Sequence, residues 1–421
     1  MGIAESVKKF FLKRSRAGYT ISDDASASIF GAGSKATSGA TITERTAMTI
    51  STVLACVRVK AATIASLPCI LYQRDGKKTK HATQHPLYHI LKNEANEETT
   101  ASVFTQTQQV HRELWGNRMA YIERKKSGYV SALRILMPEN TTVFRNEQKR
   151  LTYRTRDVNG QYIELDKDDV LHVPGLGFDG LVGKSTVALM REALGLAVSA
   201  EEFGARFFSN GANVGGFLTH PSELSEPAAK RLQKRFDEKS NGTENAHRVI
   251  VLEEGLTFTN RTMALKDSQF LEGRAFQRID ICSAFGVPPV MVGVQDTTSS
   301  WGTGVEQIML AFLKFTLSPI LTDIEQEMNR KLLTPKEREE FYIKHNVDAL
   351  QRGDYKTRYE GYKIGKDSGF LSTNDIREKE DMDPIEHGDN YYRPLNMVPE
   401  GSQIAPDTTK NKETKGDNNV N

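Results

Sequence analysis

Across 421 residues the chain carries only 3 cysteines, and its charges nearly cancel, 56 Lys and Arg against 54 Asp and Glu. Cys56, Cys69 and Cys282 sit in apolar stretches without Cys-x-x-Cys or Cys/His ligand spacing. That excludes a disulfide framework and a zinc finger, and fits buried free thiols in a reducing compartment. A formal net charge of +2 excludes a basic clamp, because tight nucleic-acid binding needs many phosphate contacts from Lys and Arg. A conduit through which a duplex slides needs few contacts, and remains compatible. No uninterrupted run of eighteen apolar residues occurs, and the start MGIAESVKKFFLKRSR has no signal-peptide core. The expectation is a soluble, unexported chain that engages no membrane.

Catalytic and metal patterns are equally sparse. Gly183-Lys184-Ser185 follows the glycine-rich stretch PGLGFDGLV, as in a phosphate-cradling loop, but Gly177 and Gly180 stand at the wrong distances from Gly183. The plainer reading is a turn with Ser185 as a helix N-cap. His81, His85 and His89 recur every four residues, yet Pro86 makes His85 a poor helix-interior residue and no further ligand lies nearby. No metal or cofactor site is expected.

What the chain does contain is a mixture of helical and strand periods, predicting an α+β fold. Met48–Ser66 reads as a buried helix closed by Pro68. CILYQRDG reads as a strand, and His85–Lys92 and Phe104–Trp115 as helices. After Gly116, runs rich in β-formers alternate with turns, so residues 41–180 form one α+β domain with an antiparallel sheet. Ser185–Phe208 is a long helical pattern. A compact block follows, with strand-like VGGFLTHP, RVIVLEEG and LTFTNRT around a helix Glu226–Lys239. Residues 334–399 are charged and helical in pattern, with a capped STNDIREKEDMD.

The stretch Asp267–Leu333 organises the rest. Phe270, Ile279, Ile281 and Phe285 mark one helix, stopped by Gly286 and Pro288-Pro289. Val305, Ile308, Phe312, Leu317, Leu321, Ile324, Met328 and Leu332 mark a second, in which Pro319 should force a bend. The polar loop between them, 294–304, has no apolar period.

The strings AFGVPPVMVG, GVEQIMLAF and TLSPIL resemble the HK97-type family of bacteriophage portal proteins. So do TVLACVRVKAATIASLP, LYQRDG, HPLYHIL, ELWGNRMAYI, SAEEFGARFFSNGANVGGFL and GFLSTNDIREKEDMDP, in an order that covers about residues 47–395. Two departures stand out: Gln307-Ile308 where family members often have two glutamines, and His387-Gly388-Asp389 where they often have Gly-Gly-Asp. The resemblance implies a flexible arm over 1–40, a wing over 41–180, a first stem helix over 181–210, a clip over 211–266 and a second stem helix over 267–290. A tunnel loop over 291–304, a long kinked helix over 305–333, a helical crown over 334–399 and a disordered tail over 400–421 complete it.

It further implies a closed ring, twelve subunits in mature heads, at one capsid vertex of a virion. Such a ring would be made in the host cytoplasm and carry no catalytic residue and no cofactor. Its partners would be double-stranded DNA without sequence specificity, the large terminase, a head-tail adaptor, and the major capsid and scaffolding proteins. On that reading Gln295, Asp296, Thr297, Thr298, Ser299, Ser300 and Trp301 face DNA, since small hydroxyl side chains touch phosphates without holding them. Arg274, Arg278, Glu202 and Arg206 would face the channel or a neighbouring subunit, and Lys230, Arg231, Lys234 and Arg235 would dock the terminase or adaptor. The competing readings are a nucleotide hydrolase using the Gly183 region, and a capsid or adaptor component without a DNA channel.

Overall fold

A computed structural model describes residues 19–20, 35–76, 78–156, 160–209, 216–220, 225–231, 234, 257–260, 267–294, 303–347, 355–380 and 382–392. They fall into two units, Met1–Asn346 and Val347–Asn421. Both helices and small antiparallel sheets are present, so the fold is α+β, as the mixed periods predict.

In the first unit, a capping box between Thr43 and Thr46 starts α1 (Glu44–Ala47). Helix α2 (Ser51–Ser66) buries Val53, Cys56, Val57 and Ile64 and stops at Leu67, ahead of Pro68. Strand β2 (Cys69–Asp75) pairs with β3 (Lys78–His81). His85 is the N-cap of α3 (Pro86–Lys92), its Nδ1 accepting from Leu87 N at 3.1 Å. His81 therefore lies in a strand, His85 at a cap and His89 in a helix, so the three share no helical face. Helix α4 (Ala101–Trp115) begins three residues before the apolar period does, because Thr100 caps it. It packs on α2 and on β4 (Asn117–Arg124), the centre of a sheet ordered β5-β4-β9, with β5 at Val130–Ile135 and β9 at Val170–Pro174.

Strands β6 (Thr142–Arg145), β7 (Leu151–Arg156) and β8 (Tyr162–Asp166) form a meander. Its free edge is taken by β1 (Tyr19–Thr20), so two residues of the expected arm are a strand. The rest of the arm to residue 34, and the tail from 393, lie outside the described residues.

The helical pattern Ser185–Phe208 is two helices, α5 (Thr186–Leu189) and α6 (Arg191–Ser209), interrupted at Met190. Beyond them, β10 (Gly216–Thr219) pairs with β11 (Thr257–Asn260). RVIVLEEG and most of the helix expected over 226–239 lie outside the described residues. Helix α7 (Asp267–Phe285) ends at Gly286, whose φ of 66° suits only glycine well.

The expected bent helix is composite: α8 (Thr303–Phe312), a π segment (Leu313–Leu317) and α9 (Ser318–Leu332). Pro319 has no N–H to give to the carbonyl of Phe315, and the π segment ends just where that bond would be lost. Gln307–Leu332 is also long and apolar enough, by length and composition, to cross a membrane. Leu317, Leu321, Ile324, Met328 and Leu332 are nevertheless buried, and α9 packs on β9 and on the segment Phe341–His345.

Phe341–His345, in the stretch read as helical, is strand β12, antiparallel to β2 with His345 opposite Cys69. Ile343 and His345 point inward while Lys344 is exposed, the two-residue period of a strand embedded in charged sequence. The outer edge of β12 is bonded by α9 side chains. Asn329 Oδ1 accepts from Ile343 N at 2.8 Å, Asn329 Nδ2 donates to Ile343 O at 3.0 Å, and Glu325 Oε1 accepts from His345 N at 2.8 Å. A short helix, α10 (Glu337–Glu340), precedes the strand.

The second unit contains α11 (Tyr355–Asp367) and α12 (Thr373–Lys379), the latter opened by the expected capping box between Ser372 and Asp375. Glu380 joins the two helices, accepting from Arg358 Nη2 at 2.8 Å and from the Tyr362 hydroxyl at 2.9 Å. His387, at the position where the resembled pattern has glycine, holds φ of 60°.

Candidate functional site

The glycine-rich stretch before Ser185 is locked onto β4. Gly116, at φ 75°, ends α4, and a Cβ on it would strike the Lys184 carbonyl; one on Gly183 would strike Gly116 O. Asn117 holds this approach from beneath. Its Oδ1 accepts from Gly183 N at 2.8 Å and faces His172 Nε2 at 3.0 Å, while its Nδ2 donates to Gly183 O at 2.8 Å and Trp115 O at 2.9 Å. His172 Nδ1 lies 3.0 Å from the Tyr153 hydroxyl. Because Asn117 Oδ1 can only accept, the neutral imidazole carries its proton on Nε2 and receives the tyrosine hydrogen at Nδ1. Burial, with Lys331 and Arg330 adding to it, pulls this imidazole down to about 3, and burial pushes the Tyr153 hydroxyl above its usual range.

The amides that a phosphate would need are already engaged. Leu181 N and Val182 N donate to Asp179 Oδ1 at 2.9 and 3.0 Å, Gly183 N to Asn117, and Lys184 N to Leu176 O at 2.7 Å. Ser185 Oγ caps α5 by accepting from Ala188 N at 3.1 Å and donates to Leu114 O at 2.6 Å. This is the turn-and-cap arrangement, with a carboxylate where a phosphate would have to sit.

The surfaces singled out for DNA and for neighbours belong to α6, α7 and the composite helix. α6 packs on α7, and Gln277 Nε2 donates to Ala193 O at 3.3 Å. α7 turns Ile281, Cys282 and Phe285 inward, toward α2. Ile279, read as part of the same apolar row, is exposed instead, and Phe276 is 72% exposed. On the composite helix Met309 and Leu310 are exposed and Phe315 is 73% exposed; Leu196 on α6 is exposed as well. Thr316, within the π segment, donates its hydroxyl to Gly286 O at 2.6 Å. That bond ties the end of α7 to the π segment.

Of the candidate residues, Gln295, Asp296, Thr297, Thr298, Ser299, Ser300, Trp301 and Arg235 lie outside the described residues. Arg278, Glu202 and Arg206 are exposed and Arg274 is half-buried; Arg206 and Glu202 stand 3.8 Å apart along one helix face. Lys230, Arg231 and Lys234 are exposed, with Lys230 Nζ 2.7 Å from Glu226 Oε1 and Arg231 Nε donating to Pro227 O at 3.3 Å. Among the described residues singled out here, no nucleophile, base and oxyanion donor come together.

Sequence reasoning passed over three features. The Asn117 network joins residues far apart in the chain and has no local signature. Phe276 and Phe315 were outside the rows chosen as core. The π segment had a signal that could have been read: the apolar row steps by five residues from Phe312 to Leu317, the period of an i→i+5 turn.

Comparison with known proteins follows the same outline. The family model for phage portal protein matches residues 51–381. A probable portal protein of Streptomyces phage phiC31 is 32% identical over 390 residues, which span 90% of this chain and 85% of that one. The portal protein of Enterobacteria phage HK97 is 30% identical over 361 residues, 85% of this chain and 84% of that one. Among solved structures, the fold is similar to an HK97-family phage portal protein from Corynebacterium diphtheriae. The TM-score is 0.55 at 19% identity, covering 73% of this chain and 96% of that chain.

Proposed function

This chain belongs to the phage portal protein family, and from that premise we propose that it closes into a ring at one vertex of a phage capsid and forms the passage for the genome. The observation that carries the proposal is the set of large apolar side chains left open to water on α6, α7 and α8. Leu196, Phe276, Met309 and Leu310, with Phe315 beyond α8, are apolar surface that a neighbouring subunit would take out of water. A neighbouring copy that covers them head to tail, repeated around an axis, gives a heterologous interface that closes. Twelve subunits is the number that the family resemblance implies.

Helices α6 and α7 serve as the two stem helices in this reading, and the β10–β11 pair belongs to the clip. Gln295 to Trp301 line the channel, where near-neutral charge lets duplex DNA pass without being held. Arg274, Arg278, Glu202 and Arg206 face the channel or the next subunit. Lys230, Arg231, Lys234 and Arg235 dock the large terminase during packaging and the head-tail adaptor afterwards. The subunit, made in the host cytoplasm, meets scaffolding and major capsid proteins as the head assembles and remains in the virion. It performs no catalysis and needs no cofactor; ATP hydrolysis belongs to the terminase. The four engaged amides at 181–184 favour this over a nucleotide hydrolase.

Native mass together with negative-stain images of the full-length protein tests the reading. Rings with a central hole wide enough for a duplex are expected. A subunit that stays monomeric even with capsid and scaffolding proteins present overturns it, and rings too narrow for DNA point to the channel-free structural component.

A further inference from the structure

Helices α2 and α7 come from opposite ends of the first unit, yet they meet at two consecutive levels. At one, Lys60 Nζ donates to Glu113 Oε2 at 2.7 Å and to Phe285 O at 3.0 Å, fixing the end of α7 against α2. One helical turn away along α2, Cys56 Sγ lies 3.9 Å from Cys282 Sγ, across 226 residues of chain. Both thiols are free and fully buried. Their juxtaposition is therefore set by the ion pair and the packing around them, and needs no bond between them.

We propose that Cys56 and Cys282 are a covalent modification site, a dithiol that hydrogen peroxide converts into a disulfide joining α2 to α7. A disulfide has an S–S distance of about 2.05 Å, so the sulfurs must close by about 1.9 Å, within reach of small χ1 rotations and a slight approach of the helices. Cys56 donates its S–H to Cys282, so Cys282 is the sulfur better placed to ionise first. Its thiolate attacks one peroxide oxygen, the O–O bond breaks, hydroxide leaves, and Cys282 becomes a sulfenic acid. Cys56 then gives up its proton and attacks Cys282 Sγ, displacing the second oxygen as hydroxide. The two thiol protons and two hydroxides make two waters, the sulfurs lose two electrons, and the peroxide gains them.

Burial and the adjacent Cys282 push the Cys56 thiol up to about 12, and burial also raises Cys282. The reaction is accordingly slow at neutral pH, quickens with alkali, and admits a small oxidant before a bulky one. Cys69, on β2 and directly opposite His345 in the sheet, takes no part in it.

The test uses the full chain, treated with hydrogen peroxide at pH 7.5 and pH 9, unfolded, alkylated and mapped by mass spectrometry. A peptide linking Cys56 to Cys282 within one subunit is expected, about 2 Da lighter than its reduced parts, several-fold faster to form at pH 9, and reversed by dithiothreitol. Cys69 should be recovered alkylated, and Cys282→Ser should abolish the link. Three results overturn the site: Cys56 and Cys282 both recovered alkylated after full treatment, both oxidised to sulfinic acids without a link, or a link that joins two subunits or uses Cys69. None of these outcomes depends on whether the protein forms rings.

Discussion

The groups bonded to Asn117 meet partners within the same subunit: Gly183 and Trp115 through the amide, His172 through the carbonyl, and Tyr153 through the imidazole. On α6, α7 and α8 the opposite holds, and phenylalanine, methionine and leucine side chains stand in water beside helix-surface ion pairs such as Arg206 with Glu202. The first region is finished by its own chain, while the second is the face that the proposed ring would cover with another copy. Damage to the first should therefore be felt as lost stability, and damage to the second as lost assembly.

The largest loss should come from the Lys60 and Glu113 pair, both nearly inaccessible. Lys60→Met leaves the carboxylate buried with only Gln109 to meet it and should cost about 3–5 kcal/mol in chemical denaturation. Adding Glu113→Leu should return most of that. A double variant as weak as the single one would mean that packing, and not the uncompensated charge, dominates.

Asn117→Ala should come next, at roughly 3 kcal/mol, because it strips partners from Gly183, Trp115 and His172 while they remain buried. Amide exchange of residues 181–185 is the sharper readout and should accelerate well beyond that of β4 itself. Uniform acceleration would make the network a general support and not the clamp of this loop.

Protonation gives a third probe. His172 near 3 and His111 near 4, both lowered chiefly by burial, stay neutral in the fold while the unfolded chain protonates below about pH 6.5. Their contribution is complete above that pH and is lost as pH falls. His345 runs the other way. Burial pulls it down, but Cys69 and Glu325 outweigh burial and bring it to about 9, so its contribution is complete below pH 6.5 and lost as pH rises through 9. Between pH 7 and 9 stability should fall by on the order of 2 kcal/mol, and His345→Gln should flatten that fall. An unchanged slope in the variant would assign the titration elsewhere.

The smallest effect on stability, with the largest on assembly, belongs to the exposed face. Phe276→Ser with Phe315→Ser should leave the subunit within about 0.5 kcal/mol of the parent yet abolish rings in native mass spectra. Rings that persist would remove these side chains from the interface.

The elements that a reader of the sequence could find are those with local causes. Pro68 closes α2, Gly286 with Pro288 and Pro289 closes α7, and Ser185 and Ser372 cap helices that begin where they stand. What escaped depends on distant partners. Phe341–His345 is a strand because Cys69–Gln73 offers it an edge, and its charged neighbours masked the alternation. Ile279 reads as one more apolar position of the row, yet the helix turns Ile281 and Phe285 inward and leaves it exposed. Similarity of several short strings identified the family, but it could not assign a role to any single charge on α6 or α7.

The π segment also keeps α8 and α9 in phase. With one residue more than an α-helical turn requires between Phe312 and Leu317, both side chains meet the interior, although an unbroken helix would have set them about 140° apart around its axis. Remove one residue from 313–316 and the helix can run on as a regular α-helix, its two buried side chains now four residues apart and still on one face. The wider turn is a phase correction, written into chain length and not into any side chain.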